Sequence, residues 1–157
     1  MKITICGLIA FALSAGVGAS ECSFTIGGET VVFPYVFAVG EPNHFDASQE
    51  DVTIHCFREE VPTEKQSPSE LIWVGFGNRM KITVAFSGDV TSVDATTEEL
   101  TGAISGVGFG VEFEGARRLG GNLEGEITTT RDLVTHFDGK ESVWRVSASF
   151  DVQVMSE

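Results

Sequence analysis

Basic residues are scarce in this chain: ten Lys and Arg stand against 23 Asp and Glu, a formal net charge of −13. That deficit argues against nucleic acid or an anionic membrane surface as partner, and leaves a basic protein partner or a solvated acidic surface. Long apolar runs are missing after residue 20, so no later stretch could cross a bilayer as a helix. Catalytic signatures are missing too, with no Gly-x-Ser-x-Gly elbow and no His-Glu-x-x-His pair. His44, His55 and His136 fall in unrelated segments and read as surface or loop histidines. Glycine clusters such as "GVGFG" and "LGG" lack the strand-to-helix setting of a phosphate loop. Adjacent carboxylates such as Glu98 with Glu99, or Glu124 with Glu126, are background in so acidic a chain. These absences leave neither an enzyme nor a cofactor to be expected, and no internal repeat or low-complexity tract organises the chain.

The first twenty residues, "MKITICGLIAFALSAGVGAS", read as a secretory signal peptide: one Lys near the start, an apolar run, then small residues. Val17 and Ala19 occupy the small-residue positions of a cleavage site, which places the cut after Ala19 or Ser20. About fifteen apolar residues fall short of the roughly 20 that a membrane-spanning helix needs. Glu21 before Cys22 is incompatible with a lipobox. Removing this segment leaves residues 21–157, enough for one domain with a single modest core. Lys2 goes with it, so nine basic residues face 23 acidic ones, a net of −14.

Of three cysteines, Cys6 leaves with the signal, and Cys22 and Cys56 remain. An isolated pair in an oxidising compartment is most simply one disulfide. His55 stands beside Cys56, but a zinc site needs three or four ligands at recognisable spacings, and those are not present.

What is abundant is β-branched and aromatic sequence in short runs between turn residues. "CSFTI" and "TVVFPYVFAV", split by "GGE", read as strands. Phe33, Tyr35, Phe37 and Val39 share one face of the second run, and Pro34 confines that run to an edge or to a break in pairing. "DVTIHCF" follows with Val52, Ile54 and Cys56 on one side. Residues 58–70 are polar with two prolines and read as an exposed loop. "LIWVGFG" and "MKITVAFSG" read as strands, "DVTSVDATTEE" as turns. In "ISGVGFGVEFEG", Val107, Phe109, Val111 and Phe113 face inward, and Gly106, Gly108 and Gly110 take the other face. The segment 116–142 reads as short strands and a hairpin. The chain closes on "WRVSASFDVQVMSE", where Trp144, Val146, Ala148, Phe150, Val152 and Val154 alternate strictly with polar residues. Seven or eight short strands on this length predict an all-β sandwich.

The order of these pieces resembles the subunits of chaperone-usher pili, in particular the minor tip pilins of the P and type 1 class. The resemblance rests on "CSFTIGGETVVFPYVF", on "DVTIHC", on "GVGFGVEFEGARRLGG" and on the alternating end, and spans most of residues 22–157. It implies an immunoglobulin-like sandwich lacking its final strand, with a hydrophobic groove along the last strand. A periplasmic chaperone, and then a neighbouring subunit donating a strand, would fill that groove by β-augmentation. Trp144, Val146, Ala148, Phe150, Val152 and Val154 would line it, and basic residues of the chaperone would hold the carboxylate of Glu157. An outer-membrane usher would export the subunit to the cell-surface fimbrium, with a host receptor as a further partner.

Two departures from that pattern stand out. Ser156 replaces the usual penultimate aromatic, and Trp144 stands where the family carries a glycine. The predicted mature chain also starts one to three residues before Cys22, too short for a donor arm. By that reading the subunit accepts a strand without giving one, which places it at the distal tip in a structural or adhesive role. The competing expectation is a self-sufficient secreted β-sandwich, a binding or inhibitor domain that fills its own groove.

Overall fold

A computed structural model describes residues 20–74, 77–97, 101–105, 110–117, 121–137 and 140–156. Residues 1–19 of the expected signal segment 1–20, Glu98, Glu99, Gly106, Val107, Gly108, Phe109 and Glu157 lie outside the described residues. The described residues form eleven strands: β1 (Glu21–Ile26), β2 (Glu29–Phe33), β3 (Tyr35–Pro42), β4 (Glu50–Phe57), β5 (Arg79–Val84), β6 (Val90–Thr96), β7 (Thr101–Ser105), β8 (Val111–Arg117), β9 (Asn122–Thr129), β10 (Leu133–Phe137) and β11 (Lys140–Ser156). One short helix, α1 (Pro68–Leu71), follows a 3-10 turn at Thr63–Lys65. No helix among the described residues is long and apolar enough to cross a membrane.

The strands form two antiparallel layers. One holds β2, β1, β11, β9 with β10, and β8; the other runs β3-β4-β5-β6-β7, and β11 joins them by a short parallel pairing with β3. The all-β sandwich read from the sequence is therefore the architecture found. Within the second layer, β3 to β7 pair strictly with their sequence neighbours.

Local chemistry explains each turn of this path. Gly27 and Gly28 both have positive φ, +57° and +90°, and Ile26 pairs with Glu29, so a two-residue turn of the primed type closes the β1–β2 hairpin. Pro34, with no amide hydrogen to offer a ladder, marks the step between β2 in one layer and β3 in the other. The step also shifts the buried face. Phe33 and Ala38 enter the main core, Phe37 and Val39 pack in a second cluster on the outer side, and Tyr35 is exposed, so the four aromatic and apolar positions do not share one face.

The main core lies between the layers. Met80, Ile82 and Val84 of β5 and Val52, Ile54 and Cys56 of β4 face Phe24 of β1 and the inward side of β11. Phe24 meets Trp144 with ring centroids 5.4 Å apart, within the range where aromatic pairs attract. Cys22 and Cys56 are disulfide-bonded, which ties β1 in one layer to β4 in the other.

Three segments depart from the sequence expectation. Residues 58–70 are no simple loop: Val61 is buried, and with the following Leu71, and with Phe57 and Val39, it forms the second cluster, so the segment is a folded flap over the outer face of β3 and β4. "LIWV" ends α1 and continues as a turn instead of a strand, because Trp73 and Val74 N–H groups donate back to Glu70 O. "DVTSVDAT" holds β6, whose Val90, Val93 and Ala95 are buried.

Candidate functional site

The predicted groove residues occupy β11, a seventeen-residue strand. Trp144, Val146, Ala148, Phe150 and Val154 are buried and Val152 is half-buried; all six belong to the main core or pack against it. Phe150 stacks on Phe113 of β8 at 6.0 Å. Both edges of the strand are also occupied. On one side β1 pairs antiparallel from Trp144 to Ser149; on the other β10 pairs up to Trp144 and β9 from Ser147 to Gln153.

Side chains close the remaining gaps. Between the β10 and β9 registers, the Val146 N–H donates to Thr129 Oγ1 at 2.7 Å, and that hydroxyl donates to Val146 O. Arg145 bonds Asp132 at 2.7 Å on the exposed surface there. Past the end of β1, the Asp151 N–H donates to Ser20 Oγ. Residues Val154, Met155 and Ser156 then pair with Ala38, Val39 and Gly40 of β3, and Ser156 Oγ donates to Glu50 Oε1.

This arrangement differs from the open groove that the resemblance implies. The apolar side chains meant for a foreign strand lie in or against the main core, and the strand's edges are paired with β1 at 144–149 and with β9 at 147–153. Regular alternation in β11 follows from this placement: the strand runs through the middle of one layer and must present an apolar residue to the core at every second position.

His55 corrects another expectation. It lies on β4 opposite Phe37 and Lys81, is 3% exposed, and stacks on Phe57 with centroids 6.2 Å apart. Its Nδ1 is buried without a hydrogen-bond partner. Burial, reinforced by the Lys81 and Arg79 cations, pushes its pKa down to about 4. A neutral imidazole beneath the flap is a packing group. His44 sits in an exposed loop against Phe45, and His136 falls in β10.

A surface feature that sequence reading missed lies on the flap. Trp73 is 72% exposed, although large aromatic side chains on a monomer surface are usually at least partly covered. Its turn is held from below: Arg79 of β5 donates through Nη1 to Ile72 O and to Val74 O. Gln66 Nε2 donates to Val61 O at 2.8 Å and fixes the other arm of the flap. Between the arms opens a cleft of about 470 Å³, with Phe57 at its base and Glu59, Glu60, Lys65, Glu70, Trp73 and Asn78 around it. The only signal in sequence was one tryptophan in a run otherwise read as a strand. Among the described residues, no group of three His, Cys, Asp or Glu is placed to hold a metal ion.

No protein-family model matches the chain, and no curated protein matches it.

Proposed function

We propose that the chain is a secreted, self-contained β-sandwich that works by binding another molecule and not by catalysis. The observation that carries this reading is the occupation of β11 on both edges by β1, β9 and β10. Opening the β1 edge to a donor strand means withdrawing Phe24, which is fully buried against Trp144, from the core. Loss of such a side chain costs about 3–5 kcal/mol. The disulfide at Cys22 also holds the start of β1 to β4, so the strand cannot leave as a unit.

Expression of the mature chain alone in an oxidising compartment tests the reading. A soluble monomer with one cooperative unfolding transition is expected; degradation or aggregation relieved only by a pilus chaperone would overturn it.

A second reading, a minor fimbrial subunit with a structural or adhesive role at a pilus tip, is favoured by one observation. The bridge joins the first strand to the strand that reads apolar-x-apolar-x-Cys, the cysteine frame of the resemblance. Its partners would be a periplasmic chaperone, an outer-membrane usher, a strand-donating subunit and a host receptor. It requires β1 to be displaced from β11, which distinguishes it from the first.

A further inference from the structure

We propose that the flap cleft binds a cationic side chain, a Lys ammonium or an Arg guanidinium presented by a basic polypeptide. The inference rests on the reading of the chain as a binding domain and names where and what it binds.

Carboxylates outnumber cations among the described residues that line the cleft. Glu59, Glu60 and Glu70 bring three carboxylates, all exposed, and none makes a side-chain hydrogen bond or ion pair among the described residues. Asn78 Oδ1 is buried without a partner, as His55 Nδ1 is elsewhere among the described residues, and a buried orphan acceptor is costly. Trp73 adds an indole face, whose negative quadrupole attracts a cation most strongly among aromatic rings. Against these acceptors stands Lys65 among the described lining residues, while the Arg79 guanidinium is engaged by the Ile72 and Val74 carbonyls. A ligand rich in hydroxyls would need donors and acceptors in comparable number, so a positively charged, donor-only group fits better.

The support beneath the cleft is built to hold it. Arg79 fixes the carbonyls on either side of Trp73, and Val61 and Leu71 anchor both arms of the flap in the second cluster. Trp73 is therefore exposed on an ordered turn and needs no reorganisation to stack on an incoming group. The volume exceeds one long side chain and suits a short basic segment better than a folded surface. The net charge of −13 adds long-range attraction for basic polypeptides.

The chain's two tryptophans make the test direct, since Trp144 is 1% exposed and Trp73 lies open. Tryptophan fluorescence of the folded protein is followed while three probes are added separately: a Gly-flanked trilysine peptide, the same peptide with acetylated lysines, and neutral chitotriose. A saturable change is expected with trilysine alone. Glu60→Gln should weaken it about tenfold, trilysine binding to Trp73→Ala, which lacks the reporter and is followed by titration calorimetry instead, should be lost, and the midpoint of thermal unfolding should stay within about 2 °C in both variants because both positions are exposed. Raising salt from 50 to 300 mM should weaken binding several-fold. No saturable change with trilysine, equal affinity for the acetylated peptide, preference for chitotriose, or full retention of trilysine affinity in Glu60→Gln would each overturn the inference. A protein that folds alone yet gives any of those results removes this ligand assignment and leaves the reading of a closed sandwich in place.

Discussion

His55 shows how one residue can carry a pH dependence. Its pKa is depressed in the fold to about 4 from an ordinary 6.5, with burial the largest cause and the Lys81 and Arg79 cations next. The unfolded chain therefore binds a proton that the folded chain refuses between pH 6.5 and 4. Above that window His55 is neutral in both states and adds no pH dependence, and stability falls as pH drops through it, by at most about 3 kcal/mol. Urea unfolding of wild type and His55→Phe across pH 7 to 4 checks this: the variant should lose most of the difference in slope while holding its stability at pH 7, since the ring can still stack on Phe57 and the orphan Nδ1 is gone. Phe150 makes the complementary point. It is 3% exposed and stacked on Phe113, so Phe150→Asp places a carboxylate in the core and should cost several kcal/mol by denaturant titration, whether or not any partner is present.

At the scale of elements, the paired strands β8 and β9 carry a cross-strand glycine pair, Gly115 opposite Gly125, with the Phe113 ring lying over both. A Cβ at Gly125 would meet Glu114 O at 2.6 Å, a backbone atom that cannot swing away. Gly125→Val, β-branched and nominally better in a strand, should therefore lower stability by about 1–3 kcal/mol in thermal unfolding and disturb the Phe113–Phe150 stack. How far sequence reading reaches is also clearest here. Strands β1, β4, β5 and β11 were legible because one face of each enters the core, so apolar residues fall at every second position. The flap was not, because Val61 is a single apolar position in a polar, proline-containing stretch and Leu71 opens the run "LIWV" that reads as a strand, while their partners, Val39 and Phe57, lie on β3 and β4. Pro34 signalled a break in pairing but not that the chain changes layers there, and with it the face that points inward. β6 escaped because "TSVDAT" holds turn-forming residues at positions that the neighbouring strands β5 and β7 half-cover. The exposed Trp73 could be seen as a residue but not as a site, since its cleft is assembled from both arms of the flap and Asn78.

At the scale of the whole molecule, two layers are closed over one core by three devices: the β11–β3 pairing, the Pro34 crossing and the Cys22–Cys56 bridge. The bridge closes a loop with a sequence separation of 34 residues. Chain-entropy arguments give it about 4 kcal/mol, a large share of the 5–15 kcal/mol by which domains are usually stable. Reduction, or Cys22→Ala with Cys56→Ala, should lower the urea midpoint accordingly while the far-ultraviolet β signal persists at low denaturant. The central claim is that the last strand is completed by the chain itself. Native-state hydrogen exchange on the isolated, oxidised protein tests it most directly, read at the amides of residues 144–149. The account predicts that these amides exchange only through global unfolding, with a free energy equal to that from denaturant titration and unchanged by an added chaperone or donor-strand peptide. Fast exchange along 144–149 in the isolated protein, slowed only when such a strand is supplied, would contradict it.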